Sequence, residues 1–224
     1  MIEMNIKRMP KLLIRHIMEQ PLIFIIVGLI SAGLVNCASV QKPRLEIPNE
    51  PWVQIYFEHE GAASKSINQL TSEAKMQSLR TIELRGDDLE VRIWVGFGLQ
   101  GVDGLVLRRS SSQWTAIHLH GMADRPPFPA SQQHLEPPAS GWETLWQKVT
   151  AAGILTLPDA ASLQCDPAGK DGTSYVVEIN TSGTYRTYRY HEPHHANCNE
   201  ARQMLGIGDI LTDELELKEF SLDE

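Results

Sequence analysis

Hydrophobic and polar positions alternate most cleanly over residues 89–97. Leu89, Val91, Ile93, Val95 and Phe97 interleave with Glu90, Arg92 and Trp94, the period-two pattern of a half-buried strand. Gly86-Asp87-Asp88 supplies a turn before it. Residues 100–104 and 110–112 turn the chain twice more, so strands over 105–109 and 114–120 complete a β-meander. Residues 79–85 predict a strand ahead of the meander, and residues 52–58 (Trp-Val-Gln-Ile-Tyr-Phe-Glu) predict another. Residues 61–75 are small and polar and predict a loop or a weak helix.

The pattern stops over residues 122–141, which contain Pro126, Pro127, Pro129, Pro137 and Pro138. Proline brings no N–H to a ladder or a helix interior, so this stretch predicts a long loop without a regular element. Beyond it, Trp142, Leu145, Trp146 and Val149 recur at i, i+3, i+4 and i+7, one face of an amphipathic helix. Ser140 and Glu143 have the spacing of a capping box, and Gly153 suits the C-terminal end. Asp171-Gly172 precedes a hairpin of residues 173–180 and 184–191 turned at Thr181-Ser182-Gly183. Asn197, with Glu200 three residues on, starts a last helix to about residue 205. Gly206 and Gly208 interrupt it before Ile210, Leu211 and Leu215 resume the helical pattern. Strands first and helices late predict an α+β fold: an antiparallel meander-and-hairpin sheet with two or three helices packed on one face, forming a single domain over residues 51–224.

The N-terminal segment follows different rules. Residues 21–35 carry no charge. As a helix they span about 22 Å, less than the roughly 30 Å of a bilayer's hydrocarbon core. With Lys7, Arg8, Lys11 and Arg15 ahead of them, they read as the apolar region of a signal peptide. The segment ends in Leu34-Val35-Asn36-Cys37, which resembles the lipobox of bacterial lipoproteins; Asn36 departs from the small residue usual before the cysteine. The resemblance implies a diacylglycerol on the Cys37 sulfur and cleavage before it, with residues 1–36 as signal peptide. Residues 37–50, with Pro43 and Pro48, then read as a flexible tether, and the acyl chains as the membrane anchor. Ala38 and Ser39 follow the cysteine in place of Asp, which in that family implies an outer-membrane address facing the periplasm.

Charge narrows the partners. The chain holds 20 Lys+Arg and 28 Asp+Glu; removing four cations and two acids with residues 1–36 leaves 16 against 26, a net of −10. Such a domain lacks the basic surface that nucleic-acid binding requires. With Cys37 assigned to lipid, Cys165 and Cys198 form an even pair in an oxidising compartment and predict a disulfide, the alternative use being a metal site.

Candidate chemistry is sparse. His191, His194 and His195 with Glu192 and Cys198 supply zinc-type donors. However, Cys165 has no partner at C-x-x-C spacing and no H-E-x-x-H is present, so an exposed histidine loop is the first reading and metal binding the alternative. His118 and His120 lie two apart on a strand and share a face. Arg92 and Trp94 lie on the meander face expected to point outward, a pairing suited to planar or anionic groups. Arg186, Tyr188 and Tyr190 share one face of the hairpin's second strand, with Tyr185, Thr187 and Arg189 on the other. Gly-x-Ser-x-Gly, Walker A and dinucleotide fingerprints are all missing, so no cofactor is expected. The expectation is therefore a lipid-anchored envelope protein acting as a binding, accessory or structural module, its partner an envelope protein or a small-molecule ligand. The alternatives are a hydrolase using His118 or His120 with groups from the proline-rich stretch, and a metal-binding protein.

Overall fold

The computed structural model describes residues 43–58, 65–98, 101–121, 131–163, 165 and 172–217. The signal segment, Cys37 and the acidic tail lie outside them. Seven strands form one sheet: β1 (Arg44–Glu46), β2 (Leu89–Gly98), β3 (Gly101–Ser110), β4 (Gln113–Gly121), β5 (Ser131–His134), β6 (Ser174–Thr181) and β7 (Thr184–His191). Their spatial order is β1-β7-β6-β2-β3-β4-β5. Every neighbouring pair is antiparallel except β1 with β7, which is parallel. The helices are α1 (Pro51–Glu58), α2 (Ile67–Glu73), α3 (Trp142–Ala151), α4 (Ala160–Leu163) and α5 (Asn199–Leu215). The fold is α+β, as the pattern predicts, and the meander and hairpin fall where expected.

Both faces of the sheet are covered. On one, Val91, Ile93, Val95, Leu105, Leu107, Val177 and Tyr188 pack with Leu145 and Val149 of α3 and Met204, Ile207 and Leu211 of α5. These are the late helices, on one face as expected. On the other, Trp94, Val102, Val106, Leu119 and Val176 pack under Trp52, Phe57, Ile67 and Leu70. That second cover comes from residues read differently in the sequence. Residues 52–58 are helix α1, not a strand: Pro51 occupies the first helical position, where its missing N–H costs nothing. Trp52 and Phe57 then fall on its buried side. Residues 79–81 form a 3₁₀ turn in place of the expected strand. Within the expected tether, Arg44–Glu46 adds β1 to the sheet edge.

Two further differences shape the site. The proline-rich stretch contains β5, because its prolines flank residues 131–134 and leave their N–H groups free to pair with β4. Helix α5 runs through Gly206 and Gly208 without a break. Gly208 packs close to Tyr175, where a Cβ would lie 3.1 Å from the hydroxyl; tertiary packing overrides the low helix propensity of glycine. Gly141, not Ser140, caps α3. Ser140 instead donates through Oγ to the Glu214 carboxylate of α5 at 2.5 Å, and Lys148 of α3 donates to the same group. The Lys148 hydrogen bond first, then that of Ser140, holds the Glu214 carboxyl below its usual range. This clasp ties the end of α5 to α3.

Cys165 and Cys198 are joined across 33 residues with a Cα–Cα distance of 6.0 Å. The bridge fixes the start of α5, where the Cys198 sulfur accepts the Ala201 N–H.

Candidate functional site

Strand alternation puts His118 and His120 on the same face of β4, as expected. The turn Ser111-Ser112, with both residues at positive φ, joins Ser110 to Gln113 and sets the β3–β4 register that places Asp103 directly opposite His120. Asp103 Oδ1 lies 2.5 Å from His120 Nδ1 and 3.4 Å from His118 Nε2. One carboxylate thus hydrogen-bonds His120 and stands within ion-pair distance of His118. With Nδ1 of His120 turned to the carboxylate, Nε2 is the ring nitrogen left for another partner. The His118 side chain is nearly buried, whereas that of His120 is about one-third exposed at 35%.

Strand β5 builds the next wall: Ser131 pairs with His120 and Gln133 with His118. The end of α5 closes the third side with Leu215, Glu216 and Leu217. Together with Leu135 these residues line a cleft of about 500 Å³. Glu216 ends α5 in the left-handed conformation, at φ 55° and ψ 35°. A non-glycine residue there is strained, and such strain concentrates at functional positions. The lining combines two imidazoles, a hydroxyl, an amide and one carboxylate with three leucines, so the cleft is more polar than apolar.

The other residues singled out from the sequence lie elsewhere. His191 is buried against α1: its Nδ1 is 2.9 Å from Ser174 Oγ, which is 2.8 Å from the Tyr56 hydroxyl. It therefore sits on the face opposite His118 and His120, and the two histidine groups do not converge. His194 and His195 are exposed, with His195 3.5 Å from Glu192. Among the described residues no group of three His, Cys, Asp or Glu is placed to hold a metal ion, and Cys198 is engaged with Cys165.

Arg92 and Trp94 do share a face, but α1 and α2 cover it, so the expected outward position is corrected. Trp94 is fully buried and donates through Nε1 to Glu178 at 2.8 Å; the Tyr185 hydroxyl donates to the other oxygen of Glu178 at 2.9 Å. The Tyr and Arg residues of β7 are structural in the same way. Arg186 lies over the Tyr188 ring and donates to the carbonyls of Leu155 and Leu157, while Arg189 lies over Trp52 and Tyr56.

Asp103 is the site residue that pattern reading missed, although the two-residue turn at Ser111-Ser112 carries the register that finds it. Compared with known protein families and with curated proteins, the chain matches none.

Proposed function

We propose that this chain is a lipid-anchored cell-envelope binding module. Acyl chains on Cys37 hold it to a membrane, by the lipobox resemblance the outer membrane, and the cleft between β4, β5 and the end of α5 takes a small polar ligand. The observation that carries the ligand reading is the Asp103 carboxylate set beside His118 and His120, two of the residues that line that cleft. The hydrogen bond with Asp103 orients the His120 ring before any ligand arrives, and pre-organisation of this kind lowers the ordering cost of binding. The ligand class that matches is one bearing a hydroxyl or amide donor for His120 and polar groups for Ser131 and Gln133, with a small apolar part against Leu135, Leu215 and Leu217.

Small molecules retained by full-length protein extracted from membranes should be compared by mass spectrometry with those retained by the His120→Ala protein. The reading expects a species carried by the native chain and lost from the variant. Equal retention by the two proteins would count against it. The anchor is tested separately: Cys37→Ser should move the protein from the membrane fraction to the soluble one.

A second reading has one observation in its favour. Ser131 stands opposite His120 in the sheet register, and Asp103 orients His120, so a hydrolase would use Ser131 as nucleophile and His120 as base. Among the described residues no hydrogen bond joins Ser131 to His120, which places the binding reading first. Labelling of Ser131 by a fluorophosphonate probe, dependent on His120, would reverse that order.

A further inference from the structure

The opposite face of the sheet holds a second cleft. It has a volume of about 320 Å³ and lies between β2, β3, β4 and the segment that leads from α2 to the 3₁₀ turn. Register makes it: Glu90 pairs with Arg108 across β2–β3, and Arg108 with Thr115 across β3–β4. Arg92 lies two residues along from Glu90 on the same face. Lys75, at φ 55°, comes from the end of α2.

Glu90 divides its carboxylate between the two arginines. Oε1 accepts from Arg92 at 2.8 Å, and Oε2 lies 3.7 Å from Arg108. Arg92 also donates through Nη2 to the Gln77 carbonyl at 2.9 Å. Glu90 and Arg92 are both almost completely buried, at 2% and 1% exposure, while Arg108 is about half exposed. Among the described residues, Nη1 of Arg92 has no hydrogen-bond partner and Lys75 makes no ion pair. The cleft therefore presents three cations against one carboxylate, in a chain whose net charge is −8. Here one carboxylate aligns two guanidinium groups that each retain N–H groups for a further acceptor.

We propose that this cleft is an anion site that takes a phosphate group, held by Arg92, Arg108 and Lys75 with the Thr115 hydroxyl alongside. Paired guanidinium groups match the oxygen geometry of phosphate, and the doubly negative group balances the excess positive charge. The site is independent of the histidine cleft, being on the other face of the sheet and sharing no residue with it.

The test is calorimetric titration of the full-length protein with inorganic phosphate, against chloride at matched ionic strength. Saturable phosphate binding is expected, weakened about tenfold or more by Arg108→Glu and by less in Arg108→Lys. Lys75→Gln should weaken it too. Arg108→Lys keeps a cation opposite Glu90 and Lys75 is exposed, so unchanged unfolding midpoints in Arg108→Lys and Lys75→Gln separate loss of binding from loss of fold. Heat no greater than with chloride, or equal phosphate affinity in Arg108→Glu, would overturn the proposal. Two further titrants identify the source of the group. Tighter binding of a water-soluble dihexanoyl phosphatidate than of inorganic phosphate assigns a lipid headgroup, and tighter binding of a sugar phosphate assigns a soluble metabolite.

Discussion

Trp94 and Gly104 face each other across β2 and β3, and the indole of the first fills the space that a side chain on the second would need. A Cβ at position 104 would lie 2.5 Å from the Trp94 ring. That ring cannot retreat, because its Nε1 is bound to Glu178 and it is fully buried. Gly104→Ala should therefore destabilise the domain by about 1–3 kcal/mol, as overpacking of a dense core does. Urea unfolding measures it, and an unchanged midpoint would mean that the indole is free to move.

The disulfide offers a cleaner separation of effects. A closed loop of 33 residues is worth roughly 4 kcal/mol in the chain-entropy account. Serine at position 198 keeps a capping acceptor for the Ala201 N–H, so Cys198→Ser reports the crosslink more than the cap. The expected result is a loss near that size in the midpoint of chemical unfolding. An equal loss on reduction of the native chain would confirm that the bond is its source.

Asp159 gives stability a pH dependence with a definite sign. Its carboxylate accepts from the Arg189 N–H at 2.9 Å and the Ala161 N–H at 3.0 Å. Even so, burial is the largest influence and lifts its pKa above the ordinary 3.8. The folded state then binds this proton more tightly than the unfolded state does. Its contribution to stability is full below pH 3.8 and is lost as pH rises through the folded value. Unfolding measured from about pH 3 to 7 should show Asp159→Asn gaining stability relative to the native chain as pH rises. Glu214 runs the other way. Its carboxyl is held low by Lys148 and Ser140, so what it adds is present at neutral pH and disappears as pH falls through its folded value.

Glu216 is strained where it ends α5, and it lines the histidine cleft. Glycine accepts the left-handed conformation without penalty, so Glu216→Gly should stabilise the chain by about 1 kcal/mol. The thermal midpoint should rise while one carboxylate leaves the cleft. A fall in stability would mean that the side chain contributes more than the strain costs.

Legibility of this fold in the sequence followed local physics. Period-two alternation over residues 89–97, the turns at 110–112 and 181–183, and the apolar stripe of Trp142, Leu145, Trp146 and Val149 each specify an element through neighbouring residues alone. Residues 52–58 misled because aromatic and branched side chains favour strands on average, whereas here they cover a sheet face as a helix beginning at Pro51. Gly208 misled because the distant Tyr175 side chain packs against it inside α5, and Gly206 because a single glycine does not break a helix held by packing. The site divides similarly. The shared face of His118 and His120 followed from alternation. Asp103 required a register, and Glu216 required knowing where α5 ends in space. Arg92 and Trp94 were paired correctly on one face, but what covers that face comes from α1 and α2.

Hydrogen–deuterium exchange locates binding on the chain whatever the chemical identity of the ligand. Full-length protein extracted from membranes is measured with and without the small-molecule fraction of the envelope. Slowed exchange should appear in β4, in β5 and in the last turn of α5, and the same protection should be missing in Asp103→Asn. Protection confined to other elements, or none with any fraction, would contradict the assignment of the cleft at His118 and His120 as the binding site.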